Sequence, residues 1–129
     1  MIAGIDHVSL PMRDVDAMVG FYKRLGFDVA EHRAVISVYA SQQMINFHRP
    51  ETWQREGFTL RAPAATPPCG DLCFVWDGSR ESLRALLDGA GAAIEEGPVA
   101  RPGGRRAEGT SMYVRDPDGN LLEFIIYGS

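Results

Sequence analysis

The chain has 129 residues, 45% of them hydrophobic and 23% charged, which is enough for one domain with an apolar core and excludes disorder as the dominant state. A formal net charge of −4 argues against nucleic acid as the main partner, because phosphate binding needs a basic face. No stretch approaches the roughly 20 apolar residues of a membrane helix. The start, Met1 to Leu10, carries Asp6 and His7 where a signal peptide would have a basic, then apolar, run, so no membrane partner and a cytoplasmic location are expected.

Ile5 to Pro11 reads as a strand, with Ile5, Val8 and Leu10 apolar and Pro11 ending it. Asp14 is placed to cap a helix in which Val15, Met18, Val19, Tyr22 and Leu25 form an apolar stripe, and Gly26 stops it. Phe27 to Glu31, Ala34 to Tyr39 and Gln43 to His48 follow as strands. From Arg49 to Gly70 the pattern breaks, with four prolines and no sustained period, which marks a long connecting or functional loop. Asp71 to Trp76 is then a strand, Ser79 a cap, and Leu83, Leu86 and Leu87 the apolar residues of a second helix ended by Gly89 and Gly91. Ala92 to Glu95 leads outward as a strand, and Gly97 to Gly109 reads as a Gly, Pro and Arg loop. Ser111 to Arg115 and Leu121 to Tyr127 form a hairpin around Asp116-Pro117-Asp118-Gly119-Asn120, a sequence with turn chemistry throughout.

Strand, helix and three strands therefore occur twice. The first module covers about residues 1–50, a connection about 50–69, and the second module about 70–129, all within one expected domain. Leu25-Gly26-Phe27-Asp28-Val29 lies over Ala90-Gly91-Ala92-Ala93-Ile94 as weak residue-level support. Two such sheets can pair through their helix-free faces around a concave interior. The two cysteines, Cys69 and Cys73, fit neither a zinc hairpin nor a redox Cys-x-x-Cys, and read as small apolar residues in a reducing compartment.

Ile5-Asp6-His7-Val8 followed by Asp14, Phe21-Tyr22 and Leu25-Gly26-Phe27 resembles the opening module of the vicinal oxygen chelate superfamily, the glyoxalase, bleomycin-resistance and extradiol dioxygenase group. Tyr113 to Phe124, through Asp116-Pro117-Asp118-Gly119-Asn120, is similar to its closing hairpin, and Glu95-Glu96-Gly97-Pro98-Val99 looks like a virulence-protein-like subgroup of glyoxalase-domain proteins. The resemblance spans nearly the whole chain. It implies an α+β fold of two βαβββ modules in a mostly antiparallel open barrel with a central cavity. It also implies a divalent metal ion that two adjacent oxygens of a small-molecule substrate chelate.

Four residues are candidate metal ligands. On the first strand His7, Ser9 and Pro11 face away from Val8 and Leu10, which suits a cavity lining, although a hydrogen-bonded strand histidine reads the same way. The resemblance places the first ligand at His7. Glu123 is a lone carboxylate in the apolar run Leu121 to Ile126, expensive to bury unless paired or metal-bound, the alternative being an edge strand with Glu123 in water. The resemblance places the last ligand there and makes Glu123 the catalytic candidate. Asn46 and His48 share a face of their strand. Asn46 matches Glu123 in the repeat, whereas the His48 imidazole is the better donor for a transition metal, unless it is a strand-end histidine in solvent. Asp71 opens the second module where relatives carry histidine in a His-apolar-small-Phe pattern, here Asp71-Leu72-Cys73-Phe74, and an aspartate there suits harder metals.

The expected function is a glyoxalase-like lyase or isomerase on vicinal oxygens, with Zn, Ni, Mn or Fe as the ion. Glu123, or a metal-bound water, would move a proton between adjacent carbons through an enediolate. An extradiol-type dioxygenase, a metal-free bleomycin-resistance-like binder of a cationic antibiotic, and a degenerate domain acting as a partner or regulator are the alternatives. Arg101 to Arg106 reads either as a loop closing over an anionic substrate or as a solvated mobile loop. A homodimer is expected from the family and from the prevalence of symmetric pairs.

Overall fold

Two side chains start the two long helices. Asp14 accepts the backbone N–H of Ala17 at 3.2 Å, and Ser79 accepts that of Ser82 at 3.1 Å. In the computed structural model, which describes residues 1–128, the chain divides into two compact units, Met1–Gly70 and Asp71–Ser129. The first holds β1 (His7–Pro11), α1 (Val15–Arg24), β2 (Asp28–Glu31), β3 (Val35–Ala40), β4 (Gln43–His48) and a short α2 (Pro50–Trp53). The second holds β5 (Asp71–Val75), α3 (Arg80–Gly89), β6 (Glu96–Pro102), β7 (Glu108–Arg115) and β8 (Leu121–Tyr127). The architecture is α+β, with βαβββ present twice.

Each unit forms one four-stranded sheet with the same connectivity, β1-β4-β3-β2 and β5-β8-β7-β6. The first strand runs parallel to the last, and the other pairs are antiparallel. Alternation along each strand gives every sheet one apolar face and one mixed face. In the first unit Ile36, Val38, Ile45 and Phe47 are buried on the apolar face, and Tyr22 of α1 sets its ring 5.5 Å from that of Phe47. In the second, Met112, Val114, Leu122 and Phe124 are buried. Arg80, the first residue of α3, donates to Thr110 on that same face at 3.3 Å and so holds the helix there. Leu83 and Leu87 of α3 are wholly buried. Side chains of this kind contribute roughly 1.5–3 kcal/mol each on burial.

Three details differ from the sequence expectation: the strand expected over Ala92 to Glu95 is absent, the chain there being irregular until β6 starts at Glu96, and two connections differ. The Gly97–Gly109 stretch is not a loop throughout: β6 runs from Glu96 to Pro102 and pairs with β7, which begins at Glu108. Its prolines are tolerated because β6 is the edge strand, with an irregularity between Glu96 and Val99 that takes up one extra residue. The connection after β4 also opens with α2, started by Pro50, before the irregular run to Gly70. That run is clamped by Trp53 Nε1 donating to Met12 O at 3.0 Å, by Arg13 donating to Pro67 O, and by Arg61 donating to Ala65 O. Among the described residues no helix is long and apolar enough to cross a membrane.

Candidate functional site

The turn after β7 decides what surrounds Glu123. Buried Asp116 accepts the backbone N–H groups of Gly119 and Asn120 at 3.0 and 2.9 Å through Oδ1, and the Asn120 side chain at 2.8 Å through Oδ2. Gly119 takes a positive φ of 103°, a conformation that favours glycine. This closed turn sets the hairpin register, and Tyr113 lies directly opposite Glu123. β8 is a central strand between β5 and β7, so Glu123 is not on a sheet edge. On the β5 side its partner is Cys73.

The Glu123 side chain stands on the helix-free face, half-buried, among hydroxyl and thiol groups. Ser111 Oγ donates to Oε2 at 2.6 Å, and Tyr113 faces Glu123 across the β7–β8 pair. Arg101 Nε in turn donates to the Tyr113 hydroxyl at 3.1 Å, with its guanidinium 5.7 Å from the ring centre. The Tyr113 phenol is held above its ordinary range, first by burial, so it keeps its proton at neutral pH. Burial and the adjacent Glu123 charge push the Cys73 thiol up to about 12. Thus one carboxylate is ringed by proton donors and a neutral thiol. Ser111, Tyr113 and Cys73 were not identified from the sequence. Their signal was the two-residue alternation of Ser111 and Tyr113 with Met112 and Val114, read across a turn whose chemistry was recognised.

The first unit repeats the scheme with different chemistry. Strand register makes His7 the counterpart of Asp71 and Asn46 the counterpart of Glu123: His7 pairs with Met44 and Ser9 with Asn46, as Asp71 pairs with Leu121 and Cys73 with Glu123. Asn46 Oδ1 accepts from Ser37 Oγ at 2.8 Å. His7 is on the helix-free face, and its Nδ1 lies 2.7 Å from Asp6 Oδ1, which leaves Nε2 pointing away from that partner. His48 pairs with Pro11, four residues from His7, so roughly 13 Å of strand separates the two imidazoles. His48 packs edge-on against Phe58, and its pKa is lowered by burial and then by the Arg61 charge, so the ring is neutral at pH 7. Within each unit, then, Asp71 and Glu123 are diagonal neighbours, as are His7 and Asn46, while His48 stands apart. Among the described residues of either unit, no three His, Cys, Asp or Glu side chains form a metal-binding group by themselves.

Residues 4–124 match the family model described as the Glyoxalase/Bleomycin resistance protein/Dioxygenase superfamily. The chain is 35% identical to Virulence protein STM3117 of Salmonella typhimurium, over 98% of this chain and 86% of that protein, whose crystal structure superposes with a TM-score of 0.86. It is 34% identical to Glyoxalase domain-containing protein RDO1 of Mycosarcoma maydis, over 98% of this chain and 69% of that one. An integron cassette protein from the mobile metagenome of V. cholerae is 31% identical with a TM-score of 0.86, covering 99% and 98% of the two chains. With residues 4–124 matched and the βαβββ order present twice, the chain belongs to the glyoxalase/bleomycin resistance protein/dioxygenase superfamily.

Proposed function

We propose that this protein is a metal-dependent, glyoxalase-like lyase or isomerase acting on a small molecule with adjacent oxygen atoms, and that Glu123 is its catalytic carboxylate. The observation that carries this reading is the placement of Glu123 in mid-sheet on the helix-free face, accepting from Ser111 and directly opposite Tyr113. An acid kept there is costly for stability alone, because apolar neighbours Leu121 and Ile125 flank it on its own face.

The donor chemistry fits a divalent ion. His7 has a carboxylate on Nδ1, the arrangement that orients an imidazole to present Nε2 to a metal. Mixed imidazole and carboxylate donors suit first-row divalent ions. We assign His7 and Glu123 as ligands, with Asp71 and either Asn46 or His48 as further donors. When bound, such an ion supplies Lewis acidity to a substrate carbonyl. Glu123 takes the proton from one of the two adjacent carbons and returns it to the other. Ser111 holds the carboxylate in one orientation, and Tyr113, protonated and backed by Arg101, offers a donor where negative charge develops.

Protein purified without chelator or a nickel-loaded tag should contain about one divalent ion per chain, reduced in His7→Ala. α-Ketoaldehyde–thiol adducts and catechols, assayed with Ni, Zn, Mn and Fe(II) separately, are expected to reveal turnover that falls roughly 10²–10⁴-fold in Glu123→Gln. Unchanged tight metal binding in His7→Ala, or silence in every assay alongside tight binding of a bulky cationic drug to metal-free protein, would overturn the proposal.

A further inference from the structure

The second unit holds a pocket with Glu123 at one end and, at the other, a cationic end at Arg105 that the proposed chemistry does not use. β6 and β7 are joined by a tight tip closed by Gly103 N–H to Ala107 O and Arg106 N–H to Gly103 O, each 3.0 Å. The tip folds back onto Tyr127 at the end of β8. A side chain at Gly103 would overlap the Tyr127 hydroxyl, so glycine is needed for this approach. The Arg105 backbone N–H reaches that hydroxyl at 3.4 Å, and the Arg105 guanidinium stacks 4.7 Å from the ring centre. Between tip and sheet lies a pocket of about 450 Å³, lined by Cys73, Val75, Glu123, Ile125, Tyr127 and the tip itself. That volume is at the small-molecule end of ligand sites.

Arg105 differs in its pairing from Arg101 and Arg115, as does Arg106 beside it. Arg101 has Glu96 at 3.9 Å and Arg115 has Glu95 at 3.2 Å, whereas Arg105 has no ion pair among the described residues. A guanidinium held over an aromatic ring retains N–H groups for an oxyanion. The Tyr127 hydroxyl accepts from Arg105 and has no acceptor for its own proton among the described residues, so it adds a second donor. Val75 and Ile125 supply an apolar floor between these donors and Glu123. Glu123 and Tyr127 are four residues apart on one strand, which bounds the span at about 14 Å.

We propose that this pocket selects a substrate carrying an anionic oxygen group, a carboxylate or a phosphate, bound by Arg105 and Tyr127 and joined by a short apolar segment to the reacting end at Glu123. The inference rests on Glu123 being the reacting end. Its test does not depend on metal or turnover. Metal-free protein is titrated with 3-phenylpropionate, 2-phenylethylphosphonate and the neutral 3-phenylpropan-1-ol, with amide chemical shifts as the readout. Both anions are expected to bind at least about tenfold more tightly than the alcohol, with shifts at Gly104 and Arg105. Added salt should weaken them. Arg105→Gln should bring all three to within about twofold of one another, while Arg105→Lys keeps part of the preference because it keeps the charge and loses the planar fork. The tighter of the two anions identifies the group. Equal binding of alcohol and anions, no saturation by about 10 mM, or an unchanged preference in Arg105→Gln would overturn the pocket assignment. Anion selectivity without metal-dependent turnover would retain it and remove the enzyme reading, and turnover without anion selectivity would do the reverse.

Discussion

Cys73 shows how strongly the Glu123 surroundings act on one side chain. As a residue it is exposed, yet its thiol is sheltered beside Glu123 and raised from an ordinary 9.0 to about 12 by burial first, then by the adjacent Glu123 carboxylate, then by Asp71. Only the thiolate reacts with alkylating agents. At pH 8 Cys73 of metal-free protein should therefore label about 10²–10³-fold more slowly than an unperturbed cysteine. Glu123→Gln removes the charge but not the burial, so the rate should rise by about tenfold at Cys73 and stay constant at Cys69. Peptide mass spectrometry after timed iodoacetamide treatment measures both, and an unaltered Cys73 rate in the variant would refute the contact. At this scale the candidates His7, Glu123 and Asp71 were legible as residue types on strands. The donors that serve Glu123 were not, because alternation tells which face a side chain takes and not which neighbour it meets there.

Among the elements, β6 was the least legible and carries a sharp test. Its Gly and Pro content reads as loop, and only its position at the sheet edge makes a strand of that sequence. Gly97 adopts φ of 109°, and a side chain there would overlap the Ser111 carbonyl and Met112 Cα on β7. Gly97→Ala should lower stability by about 2 kcal/mol or more through backbone strain and displaced pairing. Gly104, with open space around its Cβ position, should accept alanine with a change of about 0.5 kcal/mol or less. Urea midpoints of the two variants make the comparison, and equal midpoints would show that β6 is not held against β7 as described. The helices were easier to read. Asp14 and Ser79 announce their starts, and the hydrogen bonds to Ala17 and Ser82 follow from local geometry alone.

For the molecule as a whole, the duplicated order suggests assembly as well as fold. We expect a homodimer, since symmetric pairs are the commonest closed assemblies. Light scattering at micromolar concentration should return twice the 14.2 kDa chain mass, and a monomer mass would refute this. The sequence alone determined the duplicated order of elements apart from the place of β6, the helix caps, the tight turn at Asp116–Asn120 and the face on which His7 and Glu123 stand. These follow from interactions a few residues long and from strand alternation. Only the tertiary structure decided that β8 is central, that Asp71 matches His7 in register, that His48 is four residues along from His7, and that Arg105 stacks on Tyr127. These depend on pairings between segments far apart in the chain. Such pairings are selected by burying one apolar face of each sheet as a unit, and no local stretch of sequence carries that condition.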